Sequence, residues 1–236
     1  MRLDKFLCEM NIGSRSQVKS YIKQGLVTVN DAVIKSSDQK IDEYRDLIAY
    51  RGEILTYRQY HYYMLNKPGN VVTATKDNVS ATVMDLLPAA IRKNLFPVGR
   101  LDKDTEGLLL LTDDGELAHR LLSPAKHVNK TYLVQTARPL SPEACIELEN
   151  GVDIGEEKLT RPAVVEILKD CEVLLTIHEG KFHQVKRMLK AVENEVTALK
   201  RVKFGKLTLD ETLQPGEYRE LTEKEVHLLH ESDVKE

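Results

Sequence analysis

The stretch Gly99-Arg100-Leu101-Asp102-Lys103-Asp104-Thr105-Glu106-Gly107 runs straight into Leu108-Leu109-Leu110-Leu111-Thr112. The apolar run reads as a buried strand. The segment before it reads as a charge-rich loop bounded by glycines, with Asp102 inside. A strand that anchors a loop bearing one acid is a common way to place a catalytic group on a rigid scaffold. The plain alternative is a solvated acidic turn ahead of a core strand. A calcium loop is a third reading, because Asp102, Asp104, Glu106 and Gly107 fall at positions 1, 3, 5 and 6 of that pattern. It fails at position 5, which is Glu, and at position 12, where Asp113 is too short for a bidentate contact. Pro97 and Gly99 also break any incoming helix. No metal is expected.

At 236 residues the chain is long enough for two domains. No apolar run approaches the roughly 20 residues needed to span a bilayer. Met1-Arg2-Leu3-Asp4-Lys5 has no apolar core of a signal peptide. Cys8, Cys145 and Cys171 are odd in number and lack metal-type spacing. A cytoplasmic protein with reduced thiols and no membrane contact is expected. The net charge of −3 argues nothing by itself, but its distribution does. Residues 1–40 carry a net +3 and residues 180–206 a net +6, which leaves −12 on the remainder. Two basic islands on an acidic chain suggest a localised track for a polyanion.

Leu3, Phe6, Leu7 and Met10 have helical spacing. Ser14-Arg15-Ser16-Gln17 reads as a capping box that opens a second helix, with Val18, Ile22 and Tyr21 inward and an end at Gly25. Arg15, Lys19 and Lys23 form one cationic ridge along it. Leu26–Val29 and Ala32–Lys35 form a hairpin around Asn30-Asp31. Helix, basic helix, glycine and hairpin, carried by Arg2–Leu7, Ser14–Ser16 and Gly25–Asn30, resemble the αL-type (S4-like) RNA-binding fold. The domains expected are 1–50 for that module, 51–60 as a linker and 61–236 for a second domain. In the second domain strands are expected at Tyr60–Leu65, Val71–Thr75, Leu108–Thr112, Thr131–Gln135, Thr160–Leu168, Val173–His178, Val196–Phe204 and Lys206–Leu209. Helices are expected at Thr82–Leu87, Glu116 to Ser123-Pro124, from Ser141-Pro142, Gln184–Glu193 and from Leu221. Interleaving without regular βαβ alternation indicates an α+β domain with a mixed, mostly antiparallel sheet and flanking helices.

Four motifs stand in order: Leu65-Asn66-Lys67-Pro68-Gly69, the Gly99–Thr112 stretch, Lys130-Thr131-Tyr132, and Glu179-Gly180-Lys181-Phe182-His183-Gln184-Val185-Lys186-Arg187-Met188-Leu189. With the N-terminal module they cover nearly all of the chain, which resembles the bacterial ribosomal RNA pseudouridine synthases of the RsuA type. Such enzymes break the N-glycosidic bond of a uridine, rotate the base and rejoin it through C5. The resemblance implies an isomerase without metal or organic cofactor, and it makes Asp102 the essential carboxylate, as nucleophile or as base. It assigns Tyr132 to stacking on the flipped uracil and to taking the C5 proton, where a lone strand tyrosine would otherwise be core. Lys186 stands where the family usually has an Arg paired with that Asp. A lysine offers a point charge rather than a bidentate fork, so Arg187 next to it is a second candidate for the pairing. Arg100 would hold a phosphate or support the flipped base. Arg15, Lys19, Lys23, Arg100 and Arg187 are the expected RNA contacts.

The implied partner is ribosomal RNA, with small-subunit (16S) RNA in a partly assembled particle favoured by the compact chain without long basic tails. A 23S rRNA synthase is the alternative within the class. A non-catalytic RNA-binding or assembly factor is the alternative outside it. Nothing in the sequence suggests an oligomer interface, so a monomer is expected.

Overall fold

The computed structural model describes residues 1–123 and 128–231, and the helix stop expected at Pro124 lies outside them. The chain forms two compact units, Met1–Gln59 and Tyr60–Glu236.

The first unit holds α1 (Leu3–Glu9), α2 (Arg15–Lys23), β1 (Val27–Val29), β2 (Ala32–Val33), β3 (Ile48–Tyr50) and β4 (Glu53–Leu55). Its antiparallel sheet has the order β2-β1-β3-β4. The capping box of α2 is formed: the Ser14 side chain accepts from the Gln17 amide, and Gln17 Oε1 accepts from the Ser14 amide at 2.9 Å. Val18 and Ile22 then face a core with Leu3, Phe6, Leu7, Val27 and Ile48. Tyr21 is only half-buried, and its ring packs on Tyr50. Residues 51–60 are not the simple linker expected. Arg51 and Gly52 turn the chain with φ values of 53° and 85°, and β4 pairs back onto β3. Tyr57 packs its ring on Phe6, so the chain beyond β4 still belongs to this core.

The second unit contains β5 (Tyr62–Lys67), a 3-10 turn (Val83–Leu86), β6 (Phe96–Pro97), β7 (Glu106–Thr112), α3 (Gly115–Leu122), β8 (Lys130–Thr136), α4 (Pro142–Asn150), β9 (Val164–Lys169), β10 (Glu172–Ile177), α5 (Gln184–Ala191), β11 (Val196–Phe204), β12 (Leu207–Thr208), β13 (Tyr218–Glu220) and α6 (Glu223–Glu231). Among the described residues the strands form one nine-stranded sheet, β13-β5-β7-β11-β8-β10-β9, with β12 on β11 and β6 on β7. β7 and β11 run parallel, and the other pairs are antiparallel.

The leucine run of β7 is explained by this position. Leu109 and Leu111 enter one core with α4 and α5, while Leu108 and Leu110 enter the opposite core with α3 and α6. Each leucine is at most 1% exposed, which stabilises the fold by roughly 1.5–3 kcal/mol apiece. A strand covered on both faces has no reason to alternate.

The strand expected at Val71–Thr75 does not form. Only a bridge from Val72 to Thr82 is present. Thr73 instead turns its hydroxyl to the Leu101 carbonyl at 2.8 Å and accepts from the Leu101 amide at 3.2 Å. That segment is therefore spent on holding the Asp102 loop rather than on extending the sheet.

Candidate active site

Asp102 sits on the loop that enters β7, and three groups fix that loop. Thr73 grips Leu101 as described. The Thr105 amide donates to the Asp102 carbonyl at 3.1 Å. The Lys67 ammonium, fully buried at the end of β5, donates to the carbonyls of Pro68 (2.9 Å), Lys103 (3.2 Å) and Thr105 (2.8 Å). Burial pushes the Lys67 ammonium down to about 8, and the carboxylates of Asp104, Glu106 and Asp102 oppose that fall. Lys67 thus acts as a clamp on backbone oxygens. A buried ammonium needs such partners.

Across the cavity, α5 presents Lys186. Its Nζ lies 3.3 Å from Asp102 Oδ2 and 2.6 Å from Asp104 Oδ1. Burial works against its charge, but the hydrogen bond to Asp104 and the fields of both carboxylates outweigh it, so the ammonium is held above the usual lysine value. The same hydrogen bond keeps the Asp104 carboxyl below its usual value. The two loop aspartates thus converge on one ammonium. His183, just ahead of α5, adopts a left-handed backbone (φ 49°) and brings Nε2 to 3.6 Å from Asp102 Oδ1. The turn that aims α5 is held by Gln184, whose Oε1 accepts from the Lys181 amide and whose Nε2 donates to Glu179.

Lys186, not Arg187, is therefore the partner of Asp102. The Arg187 guanidinium points elsewhere and donates to the carbonyls of Ile154 and Phe182 and to Glu156. Tyr132 lies on β8, 7% exposed, and lines the same cavity of about 870 Å³ as Asp102, Lys186 and His183. Arg100 is exposed on the cavity wall. Arg15, Lys19 and Lys23 are exposed on α2 of the first unit. Among the described residues no group of three His, Cys, Asp or Glu side chains could hold a metal ion.

Sequence reasoning gave no role in the active site to Asp104, Lys67, His183, Lys130 or Arg201. Lys67 and His183 lay inside quoted motifs without a role. Arg201 was counted in the basic island of residues 180–206, yet its side chain is buried (2% exposed) and belongs to the interior.

The RNA pseudouridylate synthase family matches residues 61–191, and the S4 domain matches residues 1–43. An uncharacterized RNA pseudouridine synthase of Bacillus subtilis is 50% identical over 236 residues, covering 98% of this chain and 99% of that protein. The ribosomal small subunit pseudouridine synthase A of Vibrio cholerae is 45% identical over 227 residues (96% and 98% covered). The protein of that name in Escherichia coli K12 is 43% identical over 230 residues (96% and 98%). The crystal structure of a pseudouridylate synthase superposes with a TM-score of 0.70 at 42% identity, covering 97% of this chain and 99% of that one.

Proposed function

This chain belongs to the RNA pseudouridylate synthase family, and from that premise we propose that it isomerises one uridine of small-subunit (16S) ribosomal RNA in place, with Asp102 as the essential carboxylate. The observation that carries the reading is the meeting of Asp102, Lys186 and Tyr132 in one cavity, on a chain that aligns nearly end to end with small-subunit synthases. Lys186 sets a positive charge 3.3 Å from the Asp102 carboxylate and orients it. Tyr132 offers a ring for the uracil to stack on and a hydroxyl to relay the C5 proton. A uridine in structured RNA reaches a recessed tyrosine only by leaving its stack, at a cost of a few kcal/mol that backbone contacts must offset. Arg100 at the cavity wall is placed to hold a phosphate of the extruded nucleotide. The work is done in the cytoplasm, where ribosomes assemble, and no described helix is long and apolar enough to cross a membrane.

The test is tritium release from small-subunit rRNA labelled with [5-³H]uridine, offered naked and as a partly assembled particle. Stoichiometric release from either form supports the assignment. Release only from large-subunit RNA moves the substrate to 23S rRNA, and release from neither leaves an RNA-binding factor.

The S4 domain supplies a second grip through the exposed ridge of α2. Replacing Arg15, Lys19 and Lys23 with Ala is expected to flatten the plot of log K against log salt by about 2 units, since each lost phosphate contact on single-stranded RNA removes about 0.7. Filter binding across a salt series measures it. An unchanged slope rules the ridge out as a phosphate contact.

A further inference from the structure

Beneath Tyr132 the sheet holds two cations, Arg201 buried and Lys130 partly buried, and among the described residues neither has a carboxylate within ion-pair distance. Cross-strand register on β8 and β11 places Arg201 opposite Tyr132 and Phe204 opposite Lys130. The Arg201 guanidinium donates through Nε to the Leu108 carbonyl at 2.8 Å, and its buried Nη2 has no hydrogen-bond partner. Burial disfavours its charge, and the neighbouring Tyr132 hydroxyl supports it. Lys130 is partly buried and donates to the Val128 carbonyl at 2.9 Å. The Phe204 ring lies under both, 5.8 Å from Lys130 Nζ and 5.0 Å from Arg201 Cζ. Both cations line the cavity that holds Asp102. Like charges held in a recessed site with only the field of Glu179 to offset them cost stability, and an anion bound beside them would offset that cost.

We propose that Lys130 and Arg201 form a cationic floor that stabilises the negative charge on the uracil while it is detached from the ribose, Arg201 also positioning the Tyr132 hydroxyl. The inference rests on the reading that this cavity isomerises uridine. When the C1′–N1 bond breaks, its electron pair leaves with the base. Negative charge then spreads over N1, O2 and O4 until C5 bonds to C1′. The C5 proton leaves through the Tyr132 hydroxyl to water, and N1 takes one proton from water, so no proton is consumed. Donors fixed before this charge develops act where water is excluded and need no reorganisation, which is the most effective form of electrostatic catalysis.

Lys130 carries a pH signature. Burial and the neighbouring Arg201 push its ammonium down to about 8, with Glu179 opposing them. The floor is doubly charged below that pH and loses one charge above it. Lys67 titrates in the same range but is common to every variant compared, so ratios between variants cancel it.

The experiment follows single-turnover tritium release. Wild-type enzyme is measured first, and no release there defeats the synthase reading itself. Lys130→Met is expected to slow isomerisation about 100-fold with RNA affinity held within about threefold. Lys130→Arg restores most of the rate. Its guanidinium stays charged, so the ratio of the Lys130→Arg rate to the wild-type rate rises between about pH 7 and pH 9. Arg201→Lys, which keeps the charge but not the guanidinium beneath Tyr132, slows the reaction less than Lys130→Met. A Lys130→Met enzyme at wild-type rate overturns the proposal, as does a flat pH ratio. Where Lys130→Met fails to fold, the pH ratio decides alone.

Discussion

Asp102→Asn abolishes isomerisation, by at least about 1,000-fold in single-turnover rate, while RNA affinity stays within about threefold. The substitution keeps the shape of the side chain and removes its charge. Lys186 keeps its shorter contact, 2.6 Å to Asp104, so α5 and the loop remain joined. The loop itself is held by Thr73 and Lys67 through backbone atoms, none of which involve the Asp102 carboxylate. An amide cannot serve as the nucleophile at C1′ and is no base for a ribose proton, so both chemical roles are lost together. Tritium release and filter binding on the same preparation separate the two quantities. Equal loss of both would make Asp102 a structural residue and remove it from the chemistry.

The elements read well from the sequence are those fixed by neighbours in the chain. The capping box at Ser14 and Gln17, Pro142 after Ser141, and the leucine run of β7 are local signals, and each forms where expected. The linker reading of residues 51–60 failed because β4 is a three-residue strand that exists only through its pairing with β3. A local sign was present: Arg51-Gly52 is a two-residue turn with both φ values positive, as is Asn30-Asp31, but only the latter has the composition usually taken for one. Val71–Thr75 has strand composition, yet Thr73 is recruited by Leu101, a contact 28 residues away that no periodicity reveals. The site shows the same division. Asp102, Tyr132 and Lys186 were found through motifs, and the structure brings them into one cavity. The roles of Lys67 and Arg201 were hidden, because a lysine or arginine in a sequence reads as surface until burial is known. The basic island of residues 180–206 is accordingly less open than its composition implies: Arg201 lies inside, and Arg187 is occupied by Glu156 and the Ile154 carbonyl.

Gly107→Ala is expected to destabilise the second unit by about 4 kcal/mol or more, an effect large enough to be diagnostic of a single cause. Gly107 is the second residue of β7, paired with Lys67 on one side and with Arg201 on the other. Its φ of +99° is a conformation that side-chain-bearing residues rarely adopt, at a cost on the order of 1–3 kcal/mol. A Cβ there would lie 2.3 Å from the Arg201 carbonyl oxygen and 2.8 Å from its amide nitrogen. These are backbone atoms of the parallel partner strand, so no rotamer change relieves the clash and β7 must part from β11. That separation pulls on the Asp102 loop, which enters β7 one residue earlier, and on Arg201, which lies under Tyr132. The thermal midpoint of the second unit should fall by roughly 8–16 °C, at about 2–4 °C per kcal/mol for a unit of this size. Surviving folded enzyme should lose activity at temperatures where its helices persist, because the site is built on the junction that opens. A melt followed by circular dichroism, with tritium release measured along it, reads both. A midpoint within about 2 °C of wild type would show that β7 and β11 yield at this position, and would remove the close approach at Gly107 as the reason a glycine stands between the acidic loop and the leucine strand.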